Sequence, residues 1–231
     1  MKKRSKKYIT KLKENTINNV FNIDIFDTVK NLSISNFKGS IEVHISTLSS
    51  KKDNKQIIRG SVFYKNKVGK DKKILLLTDR KDLSEKLKKE FDYIGLDEYI
   101  EKIQSGWTDF DLVIATPNVM PKIAILGKIL GPKSLMPNPK LGTVTEDLEG
   151  TVEKYKSGKY DYKSDQTGTI HTIIGNIDNT KEELYDNFIE IIKSIINITG
   201  KPSQSVFKTI YICPTMGASL KLNIEDIIKV I

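Results

Sequence analysis

The sequence predicts an α/β protein of α+β character in two domains. A discontinuous split α+β domain is assembled from residues 1–66 and 157–231, and a small three-layer α/β/α unit, residues 67–156, is inserted within it. Three observations predict this. Strands in the flanks alternate apolar and polar residues, the period of a half-buried antiparallel sheet. Strands in the middle are continuous apolar runs separated by helical segments, the pattern of a parallel sheet covered on both faces. After Glu149 the alternating style returns. An insertion is the simplest explanation; it would bring the termini together and join the domains through two chain crossings able to hinge.

Taken in order, DIFDTVKNL (24–32) spaces Ile25, Val29 and Leu32 as a helix, with Asp24 as its N-cap. SIEVHIST (40–47) sets Ile41, Val43 and Ile45 against Ser40, Glu42 and His44, a half-buried strand. Lys51 to Gln56 reads as a polar loop, and RGSVFY (59–64) as a second strand, so the two strands are expected to form a hairpin with a long connection. KKILLLT (72–78) is a buried strand, and DRKDLSEKLKKEF (79–91) a helix. Tyr93 to Leu96 reads as a short strand, Asp97 to Gln104 as a short helix and DLVIATP (111–117) as a further buried strand. Asn118 is expected to cap a helix running through Ile129, with Pro121 in its first turn. GTIHTIIGNI (168–177) alternates again. Thr180 caps a long helix whose Leu184, Phe188, Ile191, Ile192, Ile195 and Ile196 form one stripe, stopped by Gly200 and Pro202. VFKTIYICP (206–214) is a last strand.

Composition narrows the function. The 231 residues carry a formal net charge of +9, with a sequence pI near 9.3. That balance favours a polyanionic partner, nucleic acid or an acidic membrane surface; a basic enzyme is the alternative. No run approaches the roughly 20 apolar residues of a membrane span. Cys213 is the only cysteine, so no internal disulfide forms, which suits a reducing compartment. His44, His171 and Cys213 lie too far apart in sequence to form a zinc pattern. The N-terminal MKKRSKKYITKLK carries seven basic residues and no acid. No apolar core follows it, so it reads as a solvated basic arm that touches phosphates rather than a secretory signal.

The motifs offer no active site. GKILGPKS (127–134) looks like a phosphate-binding loop, but Gly127 and Gly131 are separated by three residues and Pro132 has no amide to donate. No GxGxxG follows a strand. His171 is tied to no hydrolase motif and reads as a polar surface residue. From Leu112 to Thr145 there is no carboxylate, while Lys122, Lys128, Lys133 and Lys140 fall in that stretch, which suits an anionic surface. Pro214 and Gly217 bracket a shaped turn at Thr215 and Met216. Gly217 is free to adopt a positive φ and to let backbone approach a ribose or phosphate. Met216 either packs in the core or lies against a nucleotide; Phe37 likewise is either a core aromatic or a solvent-facing ring for stacking.

LGKILGPKSLMPNPKLGTVT (126–145) resembles the signature of the universal large-subunit ribosomal protein family of the L-one stalk, bacterial or organellar type. Further matching pieces run in the same order: KKDNKQIIRGSV (51–62), FDLVIATP (110–117), SDQTGTIHTIIGN (164–176) and TMG (215–217). The resemblance implies a discontinuous RNA-binding domain with a Rossmann-like domain inserted. It implies a non-enzymatic monomer within the ribosome, free of metal, cofactor and membrane. Its partners would be large-subunit rRNA in the mobile stalk and exit-site tRNA whose release it assists. Its own messenger RNA would be a further partner, under translational repression. The setting would be a bacterial cytoplasm, a plastid stroma or a mitochondrial matrix. Carried over by position, the rRNA contacts would be Phe37, Ser40, Glu42, Thr167, Gly168, His171, Thr209, Thr215, Met216 and Gly217. The chain departs from the family at Asn36 and Gln166, where Lys is usual, at Gly39, where an acid is usual, at Pro214, where Ser or Thr is usual, and at Ser134, where Gly is usual. Loss of two cations would weaken affinity or move phosphate contacts elsewhere, to Lys38 for example. The contrasting reading is a Rossmann-like nucleotide-dependent enzyme, which the missing glycine fingerprint and the carboxylate-poor face oppose.

Overall fold

The computed structural model describes residues 6–14, 21–48, 57–69, 72–80, 90–200 and 203–230. In chain order the first elements are α1 (Lys6–Glu14), α2 (Ile25–Asn31), β1 (Ser40–Thr47), β2 (Arg59–Phe63), β3 (Ile74–Leu77), β4 (Tyr93–Gly95), α3 (Asp97–Gln104) and β5 (Leu112–Ala115). There follow α4 (Leu148–Lys156), β6 (Lys159–Lys163), β7 (Thr169–Asn176), α5 (Lys181–Thr199), β8 (Phe207–Pro214), β9 (Leu220–Leu222) and α6 (Ile224–Val230). The fold is mixed α/β, with both antiparallel and parallel sheets. The chain divides into two compact units, Met1–Gly69 with Gly158–Ile231, and Lys70–Ser157. The loop expected at 51–56 and most of the helix expected at 79–91 lie outside the described residues.

In the discontinuous unit, β1 is an inner strand of an antiparallel sheet ordered β7-β1-β8-β9. Its Ile41, Val43 and Ile45 are fully buried while the residues between them are half-buried, as strict alternation dictates. The expected hairpin with β2 is not formed. Both edges of β1 are taken by β7 and β8, and β2 pairs instead with β6 in a separate two-stranded sheet. The stripe of α5 joins Phe21, Phe26, Ile41 and Ile210 in one core. Thr180 and Glu183 form a reciprocal capping box at its start, and Gly200 ends it at φ +60°. Asp24 occupies the expected N-cap position of α2, but its side chain makes no capping hydrogen bond; its carboxylate accepts from Lys181 Nζ at 2.8 Å.

The register of β1 against β7 shifts between Ile41, opposite Gly175, and Glu42, opposite Ile173. Ile174 is the extra residue of a β-bulge. Fully buried Asn187 on α5 donates to its carbonyl (2.9 Å) and to that of Asn66 (3.2 Å).

The other unit holds a parallel sheet ordered β4-β3-β5. All four residues of β3 are buried, Leu75 and Leu77 with Ile103 and Leu126, Ile74 and Leu76 with Leu148 and Val152 of α4. The continuous helix expected from Asn118 is instead a relay of short turns, Pro117–Val119, Met120–Ile123, Ala124–Leu126 and Gly127–Leu130. Pro117 and Pro121 supply no amide to a regular ladder. Asn118 lies inside the first turn, whose N-cap residue is Thr116. Helices α1, α4 and α6 and strands β6 and β9 have no counterpart in the sequence reading, which took the N-terminal stretch as a solvated arm.

Candidate nucleic-acid interface

The outward residues of β1 form the middle row of a polar face. Register sets Glu42 between Ile173 and Cys213, His44 between His171 and Tyr211, and Ser46 between Thr169 and Thr209. Thus Glu42, His171 and Thr209, distant in sequence, share one surface, with Ser40 at its rim.

At one end of this face is the turn 165–168. The Asp165 carboxylate accepts from the Thr167 hydroxyl (2.7 Å), the Thr167 amide (2.8 Å) and the Thr169 amide (2.8 Å). These bonds, the Thr167 hydroxyl first, hold its carboxyl below the ordinary carboxylate range. Gly168 sits at φ +84°, and its carbonyl accepts from both the amide (3.1 Å) and the hydroxyl (2.7 Å) of Thr47. Glycine suits a left-handed position that a side chain would strain.

At the other end is the turn 215–217. The Thr215 amide donates to the Ser40 carbonyl (3.0 Å), and its hydroxyl to Glu42 Oε1 (2.6 Å). The Met216 carbonyl accepts from the Ile34 amide (3.0 Å), and Gly217 bridges to Ser33. Gly217 does not use the left-handed region. A Cβ there would lie 2.6 Å from the Leu32 carbonyl oxygen and 2.4 Å from Pro214 Cγ, so close packing of two backbone segments is what requires glycine. Phe37 and Met216 are 62% and 55% exposed, which decides both against a core role.

Between the ends lies a group that sequence spacing did not join. His44 Nδ1 and His171 Nδ1 are 2.8 Å apart, so one donates and the other accepts, which a neutral pair satisfies. His44 Nε2 is 3.3 Å from Cys213 Sγ and 3.8 Å from Glu42 Oε2. His171 Nε2 is 3.7 Å from Asp165 Oδ2. Burial, then His171, pushes the His44 imidazole below its ordinary value against the opposing pull of Glu42. Burial, then Glu42, pushes the Cys213 thiol up. Only strand register brings these groups together, and register is not legible from local pattern.

Of the positions that depart from the resemblance, Gln166 is exposed, and Asn36 stands beside Phe37. Lys38 pairs with Asp178 at 2.7 Å on the surface. Ser134 holds φ +59°, the left-handed region, at a position where the resemblance led glycine to be expected.

The 127–135 stretch does not form an anion cradle. The Gly131 amide donates to the Gly127 carbonyl (2.9 Å), Ser134 to Gly131 (3.1 Å) and Leu135 to Leu130 (3.0 Å), so these amides point inward along helical turns. Among the described residues, no group of three His, Cys, Asp or Glu side chains is placed to hold a metal ion. No helix among them is long and apolar enough to cross a membrane.

The model of the ribosomal protein L1p/L10e family matches residues 29–218. The chain is 39% identical over 196 residues to the large ribosomal subunit protein uL1 of Porphyromonas gingivalis, covering 84% of each protein. The protein of that name from Phocaeicola vulgatus is 38% identical over 196 residues, again 84% of each. That from Parabacteroides distasonis is 37% identical over 200 residues, 86% of each.

Proposed function

Because the chain belongs to the ribosomal protein L1p/L10e family, whose members are structural and not enzymes, we propose that it is a constituent of the large ribosomal subunit that binds large-subunit rRNA through the β7-β1-β8 face. The observation that carries this reading is the pairing of two glycine-containing turns, 165–168 and 215–217, at opposite ends of one polar sheet face, with exposed Phe37 and Met216 beside the second. Such a face offers hydroxyls and imidazoles to ribose and base edges, and apolar surfaces for stacking, which are the groups that folded RNA recognises. The discontinuous unit is the rRNA anchor. The inserted unit, with its carboxylate-free stretch from Leu112 to Thr145, meets exit-site tRNA in the stalk and assists its release. Repression of the chain's own messenger RNA follows where that messenger presents the same fold to the same face. The site of action is the ribosome.

The test is chemical protection of transcribed large-subunit rRNA by the purified protein. One discrete helical and looped region is expected to be shielded from hydroxyl radicals. Absence of any localised protection at physiological salt would refute rRNA binding. A thermal-shift series with nucleotides separates the enzyme class, which predicts stabilisation by a free nucleotide.

A further inference from the structure

We propose that a lysine-lined groove running from Phe37 toward the N-terminal helix holds the sugar–phosphate backbone of the same rRNA strand, beyond the face described above; the proposal rests on the rRNA reading. A cleft of about 420 Å³ is lined by Lys11, Lys30, Lys38, Asn36 and Phe37. A second, of about 360 Å³, shares Lys11 and Ser33 with it and adds Lys6 and Lys7. Among the described residues no carboxylate lines either cleft. Five lysines thus border two adjoining clefts.

Two of the five are held by neutral partners. Lys11 donates to the Asn31 carbonyl and Lys30 to the Asn179 carbonyl. A carbonyl fixes an ammonium without cancelling its charge, so Lys11 is placed but not neutralised, whereas Lys30 and Lys38 each also have a carboxylate partner. Asp27 lies 3.9 Å from Lys30, and Asp178 pairs with the exposed Lys38. The groove adjoins the candidate interface, because Ser33 bridges to Gly217 and the Ile34 amide donates to the Met216 carbonyl. The Ser35 hydroxyl donates to the Phe37 carbonyl and fixes the turn that presents the ring. Cations beside an exposed aromatic, with amide and hydroxyl groups between, match the phosphate, base and ribose of one nucleotide. An acidic peptide would use the charge but not the ring.

The experiment measures affinity for the protected rRNA fragment as a function of salt. Lys11→Gln, Lys30→Gln and Lys38→Gln combined should lower the slope of log affinity against log salt by about two, since each phosphate contact contributes about 0.7–0.9. Affinity at low salt should fall at least tenfold. The matching triple Lys→Arg variant should keep the parent slope, and Lys193→Gln, on the exposed side of α5, should change nothing. If the parent binds the fragment and the triple Gln variant keeps its slope, the groove is empty of RNA and the rRNA reading stands. If the parent does not bind, both fall together. Should the triple variant melt at lower temperature, Lys38→Gln alone decides, because its ammonium is exposed: a slope lowered by about one supports the groove, and an unchanged slope overturns it.

Discussion

Asn187→Leu should destabilise the discontinuous unit by about 2–4 kcal/mol, and the reason lies in the bulge of β7. Ile174 falls between the paired residues Ile173 and Gly175, so its carbonyl lacks the regular cross-strand partner. The Asn187 amide supplies one from α5 at 2.9 Å in a fully buried setting. Leaving such a carbonyl unmet costs about 1–3 kcal/mol. Asn187 also receives the Asn66 amide (3.3 Å) and donates to the Asn66 carbonyl (3.2 Å). Asn66 is half-exposed, so water recovers much of those two bonds, and about 0.5 kcal/mol each is a fair charge for them. The apolar side chain fits the surrounding stripe and offsets little. Urea unfolding should show a lower midpoint with an unchanged m-value. A melting shift of about 5–10 °C should accompany it, for a chain of this size. Asn187→Asp should be worse, since a buried carboxylate cannot donate to Ile174. A loss below about 0.5 kcal/mol for Asn187→Leu would show that the bulge carbonyl is met some other way and would refute the argument.

Four further outcomes are expected. His44 folded has a lowered pKa, so the unfolded chain binds more protons below its ordinary value of about 6.5; stability is complete above that pH and declines as pH falls through and below it. The parent should therefore lose more melting temperature between pH 7 and 5 than His44→Gln does. Ser134→Gly should raise stability by up to about 1 kcal/mol, because a left-handed L-residue costs about 1–2 kcal/mol and the added chain entropy returns only part of it; an unchanged melting temperature counts against strain there. Phe37→Ala should weaken rRNA binding about tenfold with little change in melting, the stacking of one base being worth about 1–3 kcal/mol, whereas Gly217→Val should lower both together because of the Leu32 contact. Excision of Lys70–Ser157, with Gly69 joined to Gly158 through a short glycine linker, should leave a folded rRNA binder; loss of binding in a folded product would move the contacts to the inserted unit.

What was legible in the sequence was what depends on neighbours along the chain. The alternation of Ser40 to Thr47 named its buried face, and Thr180 marked a helix start, because both signals lie within a few residues. The strand partners were not legible. Nothing local in RGSVF says that it pairs with Lys159–Lys163, so the hairpin with β1 was the natural and mistaken expectation. Asn187 was not singled out beside the apolar stripe, since the bulge that needs it is a property of two distant strands. Asp24 had the residue type of a cap but finds a stronger partner in Lys181. The site residues were named by resemblance, and their physical setting came only from the register. Gly217 shows the difference most clearly: its identity was expected on conformational grounds, yet the demand for glycine comes from the Leu32 carbonyl, 185 residues earlier in the chain.

The same register explains how a face without catalytic groups can serve recognition. Its two end turns are tied to β1 through backbone groups, Gly168 through Thr47 and Thr215 through Ser40. Their positions therefore follow from the sheet rather than from flexible side chains, and little order remains to be imposed when a partner binds. Phe37 and Met216 are among the most exposed large apolar residues of the described chain, and both stand beside the turn 215–217. At Met216 the backbone carbonyl is fixed by the Ile34 amide while the residue stays exposed. Under the rRNA reading proposed above, this fixed polar sheet would meet base edges and ribose, the exposed rings and thioether at its rim would meet base faces, and the lysine groove would meet phosphates.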